Sequence, residues 1–259
     1  MHPRTQASIA VGTALLAAAI VPATVLPALA EPTPGSPAAA PPPRHGAAGA
    51  PAGKHAVLPG GITPQGTVSA AALLARAGRC DQVSKGLYRA RDSTPADIPV
   101  CDAKGAVFFK ADMDIDCDGQ ITDRCGLGTD PYFQNATAYT QSDGRPLNAE
   151  KLPYIVVPTP SGIWNYRSSG IGGGSVAAVI HGNKVQYAVV GDAGPPGIIG
   201  EASYATARAL GITPDPAGGG VSSGVTYIVF KDAKIPYLED HDAAVRLGDG
   251  MARKFVREN

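Results

Sequence analysis

The sequence predicts a mainly β domain, a barrel or sandwich with peripheral helices. Three observations carry that expectation. Apolar runs rich in Val, Ile, Tyr and Phe recur at Ala106–Phe109, Tyr154–Val157, Val176–Ile180, Val185–Val190 and Val225–Phe230. Each is short and bounded by Gly, Pro, Asn or Asp, as strands are. Nothing alternates strand with long helix, the pattern a parallel α/β protein would need.

Residues 1–30 read as a signal peptide: Arg4 lies before an Ala/Val/Leu run from Ile9, and Ala28, Leu29 and Ala30 form a small-x-small cleavage pattern. Residues 31–66 hold nine of the 24 prolines and almost no branched or aromatic side chains. Such a stretch buries no core, so it is expected to be an extended Pro/Ala/Gly spacer. The folded domain is then 67–259, roughly 190 residues, enough for one full core. Lys and Arg total 22 and Asp and Glu total 22, so the formal net charge is zero. That balance argues against nucleic acid or an anionic membrane as the main partner.

Within the domain the elements follow in order. Ser69 caps a short helix that ends at Gly78. The five apolar runs come next, with His181 to Lys184 forming a tight hairpin turn between two of them. Helices are expected over Ala202–Leu210 and about Asp242–Val256, the second interrupted by Gly248 and Gly250. Cys80, Cys101, Cys117 and Cys125 form an even set in an exported chain, which favours disulfides over metal ligation. Three pairings are possible. Cys80–Cys101 with Cys117–Cys125 closes the shortest loops, but the sequence does not decide between them.

Two groups of carboxylates carry the chemistry. Asp192 and Glu201 open and close the turn in VVGDAGPPGIIGEASYATARALGI, which leads from a buried strand into a helix. Ile198 and Ile199 would desolvate Glu201 and raise its pKa, while a helix N-terminus would stabilise its anion. Asp192, in a Gly-Asp-Ala-Gly turn, is placed to be held ionised by backbone N–H groups. The plain alternative is an Asx-turn at Asp192 and a helix cap at Glu201.

The second group is Asp112, Asp114, Asp116 and Asp118, alternating along an extended run so that all four would share a face. D-x-D-x-D-G matches half a calcium loop, but Cys125 stands where the bidentate Glu belongs; no EF-hand metal site is expected, and whether the Asp112–Asp118 cluster holds calcium in a looser site or binds substrate stays open. Gly220-Val-Ser222-Ser-Gly224 fits a nucleophile elbow, except that a strand follows where a helix is required. Trp164, Tyr166, Tyr132 and Phe133 lie in Gly- and Pro-rich turns, where they could stack on sugar rings.

The runs AVFFKADMDIDCDG, TDPYFQ, PYIVVP, NYRSSGI and GDAGPPGIIGEAS resemble the chitosanases of glycoside hydrolase family 75, over about Cys80 to Phe230. The segment from Val189 to Ile212 is also similar to the D-x-G-P signature of double-psi β-barrel proteins, such as family 45 endoglucanases. These resemblances imply a double-psi β-barrel-like core of the endoglucanase V type. They imply a hydrolase cutting β-1,4 bonds within chitosan, with inversion; with the signal peptide read above, the protein is expected to be secreted, extracellular, monomeric and without a cofactor. The catalytic pair falls on Glu201, as acid, and Asp192, as base. Asp112, Asp114, Asp116, Asp130, Tyr132 and Tyr166 are expected to bind the polycationic substrate. The competing expectation is a double-psi enzyme, or an expansin-like binder, acting on another wall polymer such as murein.

Overall fold

A computed structural model describes residues 65–259. The expected signal peptide and nearly all of the expected spacer lie outside the described residues. Packed chain reaches back to Gln65, whose side-chain oxygen accepts from Gln186 Nε2 at 2.7 Å.

Eight strands and three α-helices follow one another: α1 (Ala70–Arg76), β1 (Asp81–Gln82), β2 (Cys101–Ala103), β3 (Ala106–Asp116), β4 (Tyr154–Pro158), β5 (Ser175–His181), β6 (Lys184–Gly194), β7 (Glu201–Ser203), α2 (Tyr204–Leu210), β8 (Val221–Lys234) and α3 (His241–Glu258). A 3₁₀ turn spans Tyr166–Ser169. The sheet runs β1-β2-β3-β7-β4-β6-β5-β8, and β8 pairs again with β3. Six strands, β3, β7, β4, β6, β5 and β8, therefore close into a barrel. The pairs β3–β7 and β4–β6 are parallel and the other barrel pairs antiparallel. The mainly β expectation and the double-psi-like core are both met.

All five expected strands exist, and three extend well past their apolar runs. β3 continues through the Asp-rich stretch to Asp116, β6 through Asp192 to Gly194, and β8 from Val221 to Lys234. Ladder hydrogen bonds hold these polar ends extended where composition alone would have ended the strand. The Ser222 region belongs to β8, so it forms no nucleophile elbow.

Alternating side chains build two apolar layers. Val107, Phe109, Met113, Ile155, Ala177, Val179, Ala188, Val190, Ala202, Val225, Tyr227 and Val229 come from all six barrel strands and pack together. Phe109 and Tyr227 stack there with centroids 4.7 Å apart. The alternate set, including Phe108, Val156, Ile180, Val189 and Phe230, packs with Leu73 of α1 and Phe255 of α3. A set drawn from all six strands of a closed barrel fills its interior, so the first is the inner layer, and the second, packed against α1 and α3, is the outer one.

Two helix boundaries depart from expectation. α2 starts at Tyr204, with Ser203 as N-cap accepting from Thr206 N, so Glu201 and Ala202 belong to a strand. Three residues are too few to show a period of two, which is why the sequence hides β7. α3 runs unbroken through Gly248 and Gly250. Gly248 is there for space: a Cβ on it would sit 2.5 Å from Tyr187 Cδ1 and 3.0 Å from Val176 Cγ1.

The disulfides are Cys80–Cys101 and Cys117–Cys125, with Cα separations of 4.9 and 5.0 Å. Of the three pairings open to the sequence, the one closing the shortest loops forms. The first joins the end of α1 to β2, and the second closes the loop that follows β3.

Candidate active site

Val156, in β4, organises the site. Its antiparallel partner in β7 is Glu201, and its parallel partner in β6 is Asp192. Residues paired across a sheet share a face. The two acids therefore flank Val156 on the outer face of the barrel, with backbones about two strand spacings apart, ~9.6 Å. A register shift in β6 between the partners of Ile155 and Val156 places Asp192 on that face. Glu201 is also in parallel register with Asp114 of β3, which brings a third acid alongside.

β7 is held against β4 by buried hydroxyls. Ser203 Oγ donates to Leu152 O at 2.8 Å and accepts from Tyr154 N at 3.0 Å, while Thr206 Oγ1 donates to Tyr154 O at 3.0 Å. Such bonds fix Glu201 without using its own carboxylate.

These strands form one wall of a cleft of about 730 Å³. Asp114, Asp116, Asp118, Asp130, Asp192, Glu201 and Asp215 all line it, with Arg91 as the one cationic side chain among the lining residues. Other walls come from Tyr132, Gln134 and the 215–219 loop.

Each acid has a distinct environment. Glu201 is pushed up to about 8, first by burial and then by Asp114, Asp118, Asp192 and Asp130. The apolar surroundings outweigh any helix dipole, since the helix begins three residues later. Asp192 Oδ1 accepts from Ala138 N and from Ala193 N, both at 2.7 Å. Burial nevertheless holds Asp192 above the usual carboxylate range against those two donors. Asp116 is buried and raised well above that range by burial, Glu201 and Asp192. Asp118, whose Oδ1 accepts from Gln134 N at 2.7 Å, is pushed up to about 6.

Of the residues expected to bind substrate, Asp114, Asp116, Asp130 and Tyr132 line the cleft, with Tyr132 almost wholly exposed beside it (88 %). Asp112 and Tyr166 are not brought there. The β3–β8 register shift between Ala111 and Met113 takes its extra residues from β8, so Asp112 keeps the face of Asp114 and Asp116 but does not line the cleft. Asp112 is buried beside Gly200, its Oδ2 3.4 Å from Arg91 Nη2. Tyr166 is buried, its hydroxyl 2.8 Å from that of Tyr139. Sequence reasoning passed over Arg91 and the 215–219 loop, gave Gln134 only a place in the TDPYFQ motif, and left Asp118 in the acidic run without naming it as substrate-binding. Asp118 and Gln134 had signals, the acidic run and the TDPYFQ motif; Arg91 and the 215–219 loop reach the cleft by tertiary contact.

The carboxylate oxygens of Asp116, Asp118 and Asp192 lie within 4.8 Å of one another. That trio could hold a cation, whether a metal ion or an ammonium group.

Comparison with known proteins decides the kinship. The family described as the fungal chitosanases of glycosyl hydrolase group 75 matches residues 113–250, a span holding the whole carboxylate wall from Asp114 to Glu201. The chain belongs to glycoside hydrolase family 75. It is 32% identical over 169 residues to endo-chitosanase C of Aspergillus oryzae, covering 60% of this chain and 42% of that protein. It is 31% identical over 202 residues to endo-chitosanase B of the same species, covering 67% and 84%. An endo-chitosanase of Aspergillus fumigatus is 31% identical over 144 residues, 50% and 60% of the two chains. The chain thus spans less than half of endo-chitosanase C and most of endo-chitosanase B. The family expectation drawn from the motifs is met.

Proposed function

We propose that this family 75 protein is a secreted endo-chitosanase. It hydrolyses β-1,4 linkages between glucosamine units by an inverting acid–base mechanism. The observation that carries this reading is the placement of Glu201 and Asp192 on either side of Val156, opening on one acid-lined cleft. The printed names of the relatives, endo-chitosanases B and C, support the same substrate.

Glu201 serves as general acid. With its pKa at about 8 it carries a proton at neutral pH and can pass it to the leaving glycosidic oxygen. Asp192 serves as general base, its ionised form held by the Ala138 and Ala193 N–H groups, and takes a proton from a water on the opposite face of the sugar. That water needs carboxyls roughly 6.5–9.5 Å apart, and two strand spacings, ~9.6 Å between backbones, set the pair near the upper end of that range. Asp116, Asp118 and Asp130 offer carboxylates to the ammonium groups of a polycationic chain, Asp114 stands beside them paired with Arg91, and Tyr132 offers a ring face to a sugar. Asp112 acts indirectly, by fixing Arg91.

The test is release of reducing ends from highly deacetylated chitosan. Wild type is expected to release them with viscosity falling early, and Glu201→Gln to lose about 10²–10⁴-fold in kcat while keeping its circular dichroism spectrum. Proton NMR of the first product should show the α-anomer. Near-normal turnover in the Gln variant would remove Glu201 as the acid, and a β-anomer would remove inversion.

A further inference from the structure

Arg91 sits where a site for a polycation would not be expected to place a cation. The segment carrying it is bound to the approach to Glu201: Arg89 N donates to Gly197 O, and Ile199 N donates to Arg89 O, both at 3.0 Å. Arg91 then reaches into the cleft. Its Nη2 lies 3.0 Å from Asp114 Oδ1 and 3.4 Å from Asp112 Oδ2. Asp114 is the register partner of Glu201, so the guanidinium stands within one or two sugar units of the reacting bond.

The guanidinium cannot easily withdraw. The Asp112 side chain is wholly buried, and its Oδ1 has no hydrogen-bond partner. Arg91 is the cation its other oxygen faces, and removing that cation would leave a buried carboxylate uncompensated. Meanwhile Nη1 and Nε of Arg91 make no hydrogen bond among the described residues, and the side chain is half exposed (50%).

A guanidinium carries five N–H donors and no acceptor. An ammonium likewise only donates. At this one position a glucosamine ammonium finds Asp114 already engaged and meets a like charge, whereas the carbonyl oxygen of an acetamido group can accept from the unused N–H groups. We propose that Arg91 is a specificity-determining residue that makes one sugar position beside Glu201 select an N-acetylated unit, while the surrounding carboxylates select free amines. The preferred substrate is then partly acetylated chitosan. The proposal rests on the chitosanase reading and deepens it.

The experiment digests half-acetylated chitosan and sequences the products by mass spectrometry. The quantity read is the ratio of acetylated to free units at the first two positions on each side of the cleaved bond. Wild type should show one of these positions enriched in acetylated units over the bulk polymer. Arg91→Ala should lower that ratio about tenfold, the size of one charge-assisted hydrogen bond. Each ratio is read within one digest, so a partly unfolded preparation changes the yield and leaves the ratio intact. Where Arg91→Ala does not fold, Arg91→Met combined with Asp112→Asn removes the buried charge with its partner and should give the same loss. A wild-type digest with no enriched position, or variants within twofold of the wild-type ratio, would overturn the proposal. A wild type that releases no new ends would instead overturn the chitosanase reading and this inference with it.

Discussion

Glu201 shows how little of a residue's chemistry belongs to the residue. An exposed glutamate loses its proton near pH 4. Here burial and four neighbouring acids hold it to about 8, while two backbone donors oppose the rise that burial gives Asp192. In the proposed mechanism, unlike environments split two like groups into an acid and a base. The pH profile follows. The proposed mechanism needs Glu201 protonated and Asp192 ionised, so kcat/KM on a soluble chitosan oligomer should rise above the usual carboxylate range. It should then fall as pH passes about 8. An alkaline limb that stayed put in Glu201→Asp, measured over the same range, would mean that another group supplies the proton. The conflict seen in the sequence at Glu201, desolvation against helix dipole, was decided by a boundary: α2 begins at Tyr204, with Ser203 and not Glu201 as its cap.

At the scale of elements, α3 is the clearest case of a pattern misread for a physical reason. Two glycines inside a helical run normally weaken it, at about 1 kcal/mol each. Gly248 is present because Tyr187 lies against it, and Gly250 has nothing closer than Arg253 Nη2 at 3.9 Å. Opposite outcomes are expected for one substitution at two positions two residues apart. Gly250→Ala should stabilise by about 0.5–1 kcal/mol through backbone entropy. Gly248→Ala should destabilise by about 1–3 kcal/mol, because the buried Tyr187 ring cannot step aside. Urea unfolding of the two variants checks this, and equal signs would show that packing against Tyr187 does not control the helix. Gly200 is constrained differently: at φ +114° a side chain is strained, and a Cβ would lie 2.3 Å from Asp112 Oδ1. The turn into Glu201 thus depends on a glycine that the motif displays without its reason.

For the whole molecule, concentrating acids on one wall has a cost in stability. Asp112 and Asp118 at about 6 and Glu201 at about 8 all bind protons more tightly folded than unfolded. Their stabilising contribution is complete below pH ~4, the unfolded value, and is lost as pH rises through 6 and then 8. Asp249 and Glu239 act in the opposite sense: hydrogen bonds from Thr67 and Ser142 hold them below their usual values, so their contribution is lost as pH falls through the acid range. The thermal midpoint should therefore be greatest near pH ~5 and decline toward pH ~8. Glu201→Gln should flatten the last part of that decline in differential scanning fluorimetry. A midpoint still rising between pH 6 and 8 would contradict the desolvated wall.

The apolar runs fixed five strands, the even cysteine count foretold two disulfides, and the ordered motifs placed the chain in its family before any coordinates were needed. Those are properties of neighbouring residues, and neighbours are what a sequence displays. The closed barrel, the placing of Asp114, Asp118, Asp192 and Glu201 on one wall, the withdrawal of Asp112 beneath Arg91, and the arrival of the 215–219 loop required the fold. Ala106 meets Phe230 and Val156 meets both Asp192 and Glu201 across long stretches of chain. Register over such distances is set by which faces can be buried together, and no local period records it.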